Sequence, residues 1–257
     1  MPVELHFRHF PNPDAQPLVI LHGLLGSSRN WTTVAKGLQA RFDVYAPDLR
    51  NHGRSPHADD MAWPELMGDL DRMLQQNGLE QAVLIGHSLG GKVAMRYACA
   101  CPEKASKLVI VDIAAKAYPP YHDKEIQAMR RVPLDEIGSR KDAEDWLEPR
   151  ISDWAMRQFL LTNLIRDGEG GYKWQVHLEA LHANLPILRM DALLQDHWYD
   201  GPVLLLTGGK PAFVQAGDAE AMRGRLPNLQ TQELPEAGHN PHIEDREGFL
   251  KIMEEWL

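Results

Sequence analysis

A chain of 257 residues, 44% of them hydrophobic and 25% charged, is long enough to bury a sizeable core as one large domain or as a core with an insertion. Its formal net charge of −9 argues against nucleic acid or an anionic membrane surface as a partner. The opening residues MPVELHFRHF lack the apolar core of a signal peptide, and no later run reaches the length of a membrane span, so stable membrane insertion is not expected.

The two cysteines, Cys99 and Cys101, lie two residues apart in a predicted helix and therefore point to different faces. They cannot form a mutual disulfide there, and their spacing does not suggest a metal site. The sequence therefore predicts a reduced, cytoplasmic setting.

The first half of the chain alternates short apolar runs with amphipathic helices. A β-like segment at 3–10 precedes predicted strands at 17–21, 42–46 and 83–85, and another buried strand is predicted at 107–113. Helices are predicted between the strands, because apolar residues recur there at i, i+3, i+4 and i+7. This alternation predicts an α/β fold with a mostly parallel central sheet flanked by helices.

The pentapeptide Gly86-His87-Ser88-Leu89-Gly90 lies between a buried strand and a helix that stops at Pro102. This order is that of the nucleophile elbow, a turn so sharp that the serine needs small neighbours on both sides. Gly-x-Ser-x-Gly alone occurs by chance in many chains. With the flanking strand and helix, however, it predicts that Ser88 is a nucleophile at the carboxyl edge of the sheet.

A second loop at this edge, residues 22–27, follows the strand at 17–21. It can aim the Leu24 N–H at the point where an oxyanion develops, and the Leu89 N–H then supplies the second donor. The alternative is an ordinary strand-to-helix loop. Three residues are expected to border the substrate: His22, Gly23 and His87.

The polar loop at 48–55 follows the strand at 42–46. We interpret it as a tight turn in which Asp48 and Ser55 bond the backbone, rather than as part of the site. Basic side chains mostly form a solvated face, so no phosphate ligand is assigned to the following five: Arg50, Arg54, Lys92, Arg130 and Arg131.

The alternation of predicted strands and helices stops after the strand at 107–113 and starts again at a strand over 202–207. Helix-like segments are predicted between them at 126–131, 143–147 and 154–165, before a glycine-rich stretch at 168–171. An insertion between two core strands is typical of a lid over an active site. We therefore predict a mainly helical lid at 118–199, inserted after the strand that ends at Asp112, and a core formed by 1–117 and 200–257.

The histidine of the site is predicted near the end of the chain. A serine hydroxyl needs a base within hydrogen-bond reach, and on such a sheet the acid and then the histidine follow the serine. His239 lies in a glycine-flexed loop after the last predicted strand. It fits this position better than His242, which Pro241 precedes.

The acid is harder to place, because the loop where it usually lies, 208–213, offers no carboxylate before Asp218. Asp218 should already begin the next helix. Asp112 instead ends a buried apolar strand at the active edge, where a charge has to find a partner. A turn-capping role is the alternative. We predict that Asp112 orients His239 and stabilises its cation.

With these residues together, the chain resembles the α/β-hydrolase superfamily, and within it the small bacterial esterases of the YbfF type. The resemblance covers almost the whole chain outside the lid and rests on six segments: HGLLGSSRNW at 22–31, DLRNHGRSPH at 48–57, IGHSLGGK at 85–92, VDIA at 111–114, LLTGGKPAFV at 205–214 and AGH at 237–239. It implies an α/β-hydrolase fold, hydrolysis of carboxylic esters or acyl thioesters, and no cofactor. It also implies an acid from the strand that contains VDIA, in agreement with Asp112.

Other functions remain open at this point. C–C bond hydrolysis or cofactor-free perhydrolysis could use the same triad, since the lid and a few pocket residues decide among these reactions. A non-catalytic ligand-binding relative belongs to a different class, which the presence of both Ser88 and His239 disfavours. The substrate is expected to be a small ester or thioester such as an acyl-CoA, but acyl length, leaving group and oligomeric state are left open.

Overall fold

The computed structural model of the protein describes residues 1–210 and 213–257, so Pro211 and Ala212 of the segment LLTGGKPAFV lie outside the described residues. The strands of the described part are β1 (Phe7–Phe10), β2 (Gln16–Leu21), β3 (Phe42–Pro47), β4 (Ala82–His87), β5 (Ala105–Val111), β6 (Leu164–Arg166), β7 (Tyr172–Trp174), β8 (Val203–Gly208) and β9 (Leu229–Leu234). Its helices are α1 (Thr32–Leu38), α2 (Trp63–Gln76), α3 (Leu89–Ala100), α4 (Asp123–Arg130), α5 (Arg140–Leu147), α6 (Trp154–Leu161), α7 (Leu178–Leu188), α8 (Asp218–Arg223), α9 (Pro241–Glu244) and α10 (Arg246–Trp256).

The central sheet of the described residues has seven strands in the order β1-β3-β2-β4-β5-β8-β9. β1 pairs antiparallel with β3, and each of the other neighbouring pairs in this sheet is parallel. The predicted mostly parallel α/β sheet is therefore confirmed. The β-like segment predicted at 3–10 is shorter in the structure, because its pairing begins only at Phe7.

The sheet separates two hydrophobic clusters, because successive side chains of a strand point to opposite faces. In β2, Val19 and Leu21 belong to the cluster that includes residues of α2 and α3, whereas Leu18 and Ile20 belong to the cluster of α1 and α10. Both faces of the central strands are thus covered, as their near-continuous apolar runs predict. The carboxyl ends of the parallel strands meet at one edge, where the loops can carry functional groups.

The chain between β5 and β8 contains the helices α4 to α7 and an antiparallel hairpin of β6 and β7. Helices α4 and α5 lie close to their predicted positions, but the helix predicted at 154–165 ends at Leu161. The glycine-rich stretch at 168–171 is the turn of the hairpin. No helix was predicted over α7, which contains Pro186 in its interior. The leucines of α7 nevertheless recur at helical spacing and are buried: Leu178, Leu181, Leu185 and Leu188.

Two further expectations concern membrane contact and the cysteines. Among the helices of the described residues, none has both the length and the apolar composition that crossing a membrane requires. Cys99 and Cys101 are free thiols, as their spacing predicts, and burial raises the pKa of Cys99 to about 11.

Candidate active site

Ser88 stands on the sharp turn between β4 and α3. Its φ of 51° and ψ of −117° are a strained combination for a residue with a side chain. The turn needs glycine on both sides: a Cβ at Gly86 would lie 2.3 Å from the Gly90 carbonyl oxygen, and one at Gly90 would lie 2.3 Å from the Leu21 carbonyl oxygen. The strand, turn and helix of the predicted elbow are present, and they place Ser88 at the carboxyl end of β4.

Asp112 and His239 form a hydrogen-bonded pair at the same edge of the sheet. The Nδ1 atom of His239 lies 2.7 Å from Oδ2 of Asp112. The Gly208 N–H donates to the other carboxylate oxygen over 3.2 Å. Asp112 is 1% exposed, so its charge depends on these partners. An imidazole that donates its Nδ1–H to this carboxylate has Nε2 free to accept a proton.

Ser88 and Asp112 occupy equivalent positions on adjacent strands. The parallel pairing of β4 with β5 ends at His87 and Val111, and the Ser88 N–H donates to the Val111 carbonyl oxygen over 3.2 Å. Within the described residues no hydrogen bond joins the Ser88 hydroxyl to His239. Such a bond is often long before substrate binds and tightens in the reacting complex. The structure thus brings the three predicted residues to one edge and hydrogen-bonds two of them.

The rival residues are engaged elsewhere. Asp218 accepts hydrogen bonds from the Lys116 ammonium over 2.5 Å and from the Gln215 N–H over 2.8 Å. His242 stacks on Trp31 with ring centroids 3.9 Å apart, and burial lowers its pKa to about 3. These contacts favour Asp112 over Asp218 and His239 over His242.

His87 and Phe213 contact the histidine loop from two sides. His87 Nε2 donates to the His239 carbonyl oxygen over 2.8 Å, and the two ring centroids lie 4.7 Å apart. Burial lowers the pKa of His87 well below its ordinary value, because a buried imidazolium would lose its hydration. The Phe213 ring centroid lies 4.0 Å from that of His239. That His87 also borders the substrate stays a prediction.

The loop that carries Leu24 is held by hydrogen bonds at the next residue. Leu25 has a φ of 61°, donates its N–H to His52 Nε2 over 3.1 Å and accepts a hydrogen bond from Asn163 Nδ2 over 2.9 Å. Among the described residues, neither the Leu24 N–H nor the Leu89 N–H at the start of α3 has an acceptor. Unpaired N–H groups at a helix N-terminus favour an anion.

His22 and His52 hold this loop in place through hydrogen bonds to the backbone. The Leu49 N–H donates to His22 Nε2 over 2.9 Å, and His22 Nδ1 lies 2.8 Å from the Gly23 carbonyl oxygen. Burial lowers the pKa of both imidazoles, that of His52 to about 3. Because both ring nitrogens of His22 are bonded within the protein, a structural role fits it better than substrate binding does. Gly23 does border the nucleophile, since a Cβ there would lie 3.2 Å from Cβ of Ser88.

The polar loop after β3 is a hydrogen-bonded turn, as interpreted from the sequence. Asp48 accepts the Ser28 N–H over 2.6 Å and the Arg54 N–H over 2.9 Å, while the Ser55 hydroxyl donates to the Asp48 carbonyl oxygen over 2.5 Å. Gly53 has a φ of 53°, and a Cβ there would lie 2.2 Å from the Asp48 carboxyl carbon. The loop therefore organises the backbone next to the site.

The expectation of a solvated basic face is wrong for two residues. Arg50 is 1% exposed and bonds Asp69 twice, with Nε–Oδ2 and Nη2–Oδ1 distances of 2.6 and 2.7 Å. Lys92 is 0% exposed although it lies in the helix that follows Ser88. A sequence pattern did not reveal this burial, because the Lys92 partners lie as far as 98 residues away along the chain.

Two residues beside the site were not predicted as site residues from the sequence. Asn163, between α6 and β6, reaches a loop 138 residues away. Phe213 belongs to a motif segment, but its ring contact with His239 depends on how two loops pack. The alternation of apolar residues and the spacing of motifs do not predict contacts between distant loops. Only Phe213 lay in a segment on which the resemblance rests.

Known proteins resemble this chain over almost its full length. Residues 18–252 match the model of the Alpha/beta hydrolase family. The chain is 37% identical to the sn-1-specific diacylglycerol lipase ABHD11 of Danio rerio, with 98% of this chain and 82% of that protein covered. It is 28% identical to the esterase YbfF of Escherichia coli (strain K12), with 94% and 92% covered. Among solved structures, a marine microorganism esterase superposes with a TM-score of 0.96 at 34% identity, over 99% of this chain and 100% of that one.

Proposed function

Since the chain belongs to the alpha/beta hydrolase family, we propose that it is a serine hydrolase that cleaves carboxylic esters or acyl thioesters through an acyl-enzyme intermediate. Relatives named esterase and lipase support ester hydrolysis as the broad activity. The observation that carries the finer assignment is the 2.7 Å contact between His239 Nδ1 and Asp112 Oδ2, at the edge where the elbow presents Ser88.

In the proposed first step, the Ser88 hydroxyl oxygen attacks the acyl carbonyl carbon while His239 Nε2 takes the hydroxyl proton. Asp112 accepts the Nδ1–H and stabilises the imidazolium. The leaving alcohol or thiol departs with the proton from His239. Water, activated by the same imidazole, then releases the acid from Ser88.

The charge that develops on the carbonyl oxygen needs donors that are already in place. We assign this role to the N–H groups of Leu24 and Leu89, which lack an acceptor in the described part of the chain. The Leu89 N–H also lies at the positive end of the α3 dipole. Removing one comparable donor costs about 10²–10³ in rate in other hydrolases.

The segment 118–199 is proposed to be a lid over this site, inserted into a core of 1–117 and 200–257. Two contacts support this assignment, one to the loop at 22–27 and one to the neighbouring turn at 48–55. The Asn163 amide bonds the Leu25 carbonyl oxygen over 2.9 Å, and the His177 N–H bonds the Asn51 carbonyl oxygen over 2.9 Å. A segment fastened to these loops is well placed to select the acyl group, whether its partner is an alcohol or the thiol of a coenzyme A.

The experiment that tests this function is a hydrolysis screen with p-nitrophenyl esters and acyl-CoA thioesters of increasing acyl length. The Ser88→Ala variant is the control, and a fluorophosphonate probe reports whether Ser88 is reactive. We expect turnover and labelling by the parent chain and loss of both in the variant. Absence of turnover with a labelled serine would redirect the assignment to C–C hydrolysis or perhydrolysis. An inert Ser88 would favour a binding protein.

A further inference from the structure

Lys92 is a buried cation that the reaction steps above do not use. It lies on α3, four residues after Ser88, and is 0% exposed. Four backbone carbonyl oxygens share the three N–H donors of its ammonium: Lys116 at 3.2 Å, Leu188 at 3.3 Å, Arg189 at 3.2 Å and Met190 at 2.6 Å. Three of these carbonyls belong to the last residue of α7 and the two residues after it. Lys92 therefore caps the helix that ends the proposed lid.

Burying the Lys92 ammonium costs folding free energy, because the charge loses its hydration. Within residues 1–210 and 213–257 no carboxylate forms an ion pair with Lys92, and burial lowers its pKa to about 8 although the nearby charge of Asp191 acts in the opposite direction. The carbonyls at the negative end of the α7 dipole compensate for the lost hydration. A role beyond stability would account for a lysine here.

The contacts of Lys92 join both ends of the 118–199 segment to α3, the helix that follows Ser88. The Lys116 carbonyl precedes the segment, and the Leu188–Met190 carbonyls lie near its end. The ammonium also lies 4.8 Å from the ring centroid of Tyr118. A single side chain thus connects the entry and the exit of the segment to the helix that begins beside Ser88.

Tyr118 extends this connection toward the histidine. Its hydroxyl donates to the Phe213 carbonyl oxygen over 2.8 Å and accepts the Ala114 N–H over 2.8 Å. The Phe213 ring in turn faces His239 with centroids 4.0 Å apart. Lys92 is therefore connected, through Tyr118, to the Phe213 ring that contacts the imidazole of His239.

We propose that Lys92 is a positioning residue that fastens both ends of the 118–199 segment to α3 and so shapes the acyl-binding side of the site. The proposal rests on the serine hydrolase function and on the lid assignment proposed above. Lys92 itself makes no contact with reacting atoms. Its removal leaves Ser88, His239 and Asp112 in place but loosens the surface against which an acyl chain packs.

The test compares Lys92→Met with Lys107→Met. Lys107 is a matched control, because its ammonium also caps a helix, donating to the Trp256 and Leu257 carbonyl oxygens over 3.0 and 2.8 Å, at the start of β5 and away from the site. We measure KM and kcat for p-nitrophenyl esters from short to long acyl chains, the rate of fluorophosphonate labelling, and the thermal unfolding midpoint of each variant.

For Lys92→Met we expect KM for the longer esters to rise about tenfold, the equivalent of one lost hydrogen bond to a charged group. KM for the shortest ester, kcat and the labelling rate should stay close to the parent values. Lys107→Met should change no kinetic constant. Equal KM values at every acyl length for Lys92→Met and the parent, or an equal loss in both variants, would overturn the proposal.

Two controls keep the outcome interpretable. If Lys92→Met does not fold, Lys92→Gln, which retains an amide donor, carries the same comparison and should give a smaller rise in KM with acyl length. A parent chain that neither turns over esters nor reacts with the probe would contradict the proposed function itself. An active parent whose KM is insensitive to Lys92 would contradict only the positioning role.

Discussion

The sheet edge and the 118–199 segment are built in opposite ways. At the edge, Ser88 and Asp112 directly follow the adjacent buried strands β4 and β5. The Ser88 N–H is hydrogen-bonded to Val111, and the Asp112 carboxylate is hydrogen-bonded to Gly208 and His239. The segment is made of shorter elements, including two strands of three residues each. Of the six large hydrophobic side chains exposed in the described part, four lie in the segment: Trp154, Met190, Leu194 and Trp198.

On the proposed lid assignment, this difference separates the residues that carry the chemistry from those that select the substrate. Groups that must keep a fixed geometry are attached to a rigid parallel sheet, where small displacements are costly. The segment is fastened to the core at a few polar contacts, such as those of Asn163 and Lys92, and can vary without disturbing the sheet. Variants in the two regions should therefore affect different kinetic constants.

The largest effect is expected at the sheet edge. Asp112→Asn should lower kcat by about 10⁴-fold, because an amide favours the wrong tautomer of His239 and cannot stabilise its cation. The matched control is Asp218→Asn, which breaks the contact with Lys116 and should keep most of the activity. Steady-state kinetics with one ester measures both. Near-parent turnover in Asp112→Asn would remove Asp112 from the triad.

A smaller effect is expected where the 118–199 segment meets the loop at 22–27. Asn163→Ala removes the hydrogen bond to the Leu25 carbonyl oxygen, one residue after the proposed Leu24 donor. We expect kcat/KM to fall about tenfold, the equivalent of one hydrogen bond lost in the transition state. Thr162→Ala, which loses only a bond to the Phe159 carbonyl oxygen within its own turn, is the comparison. The same loss in both variants would show that the segment acts here through its general stability.

The smallest effect on activity is expected at His242, three residues from His239. Burial lowers the pKa of His242 to about 3, against an ordinary value of 6.5, so the unfolded chain binds a proton that the folded chain does not. Stability is therefore lost as pH falls below 6.5, by about 1.4 kcal/mol per pH unit from this group.

His242→Phe keeps a ring stacked on Trp31 and should reduce the dependence of the unfolding free energy on pH between 7 and 5. Urea unfolding at the two values measures the change, and ester turnover should remain. An unchanged pH dependence would mean that His242 has the same pKa in the folded and the unfolded chain. Loss of turnover comparable to that of His239→Ala would reverse the roles of the two histidines.

The parallel sheet and the elbow could be read from the sequence because their constraints are local. The glycines that Ser88 requires lie two residues away on either side, and an apolar run predicts a buried strand without knowledge of its neighbours. Asp112 could be proposed because a carboxylate at the end of such a strand needs a partner. The choice of His239 over His242 followed from loop chemistry, and the hydrogen bond to Asp112 agrees with it.

Tertiary structure alone decided the contacts that cross the chain. Helix α7 contains a proline that the local rules disfavour, yet its leucines are buried against the core. The sequence predicts Lys92 to be a surface cation, but in the fold its ammonium is enclosed by carbonyl groups of residues 24 to 98 positions away. The free energy of burying a group depends on the partners that the fold supplies, and for these residues the partners lie far along the chain.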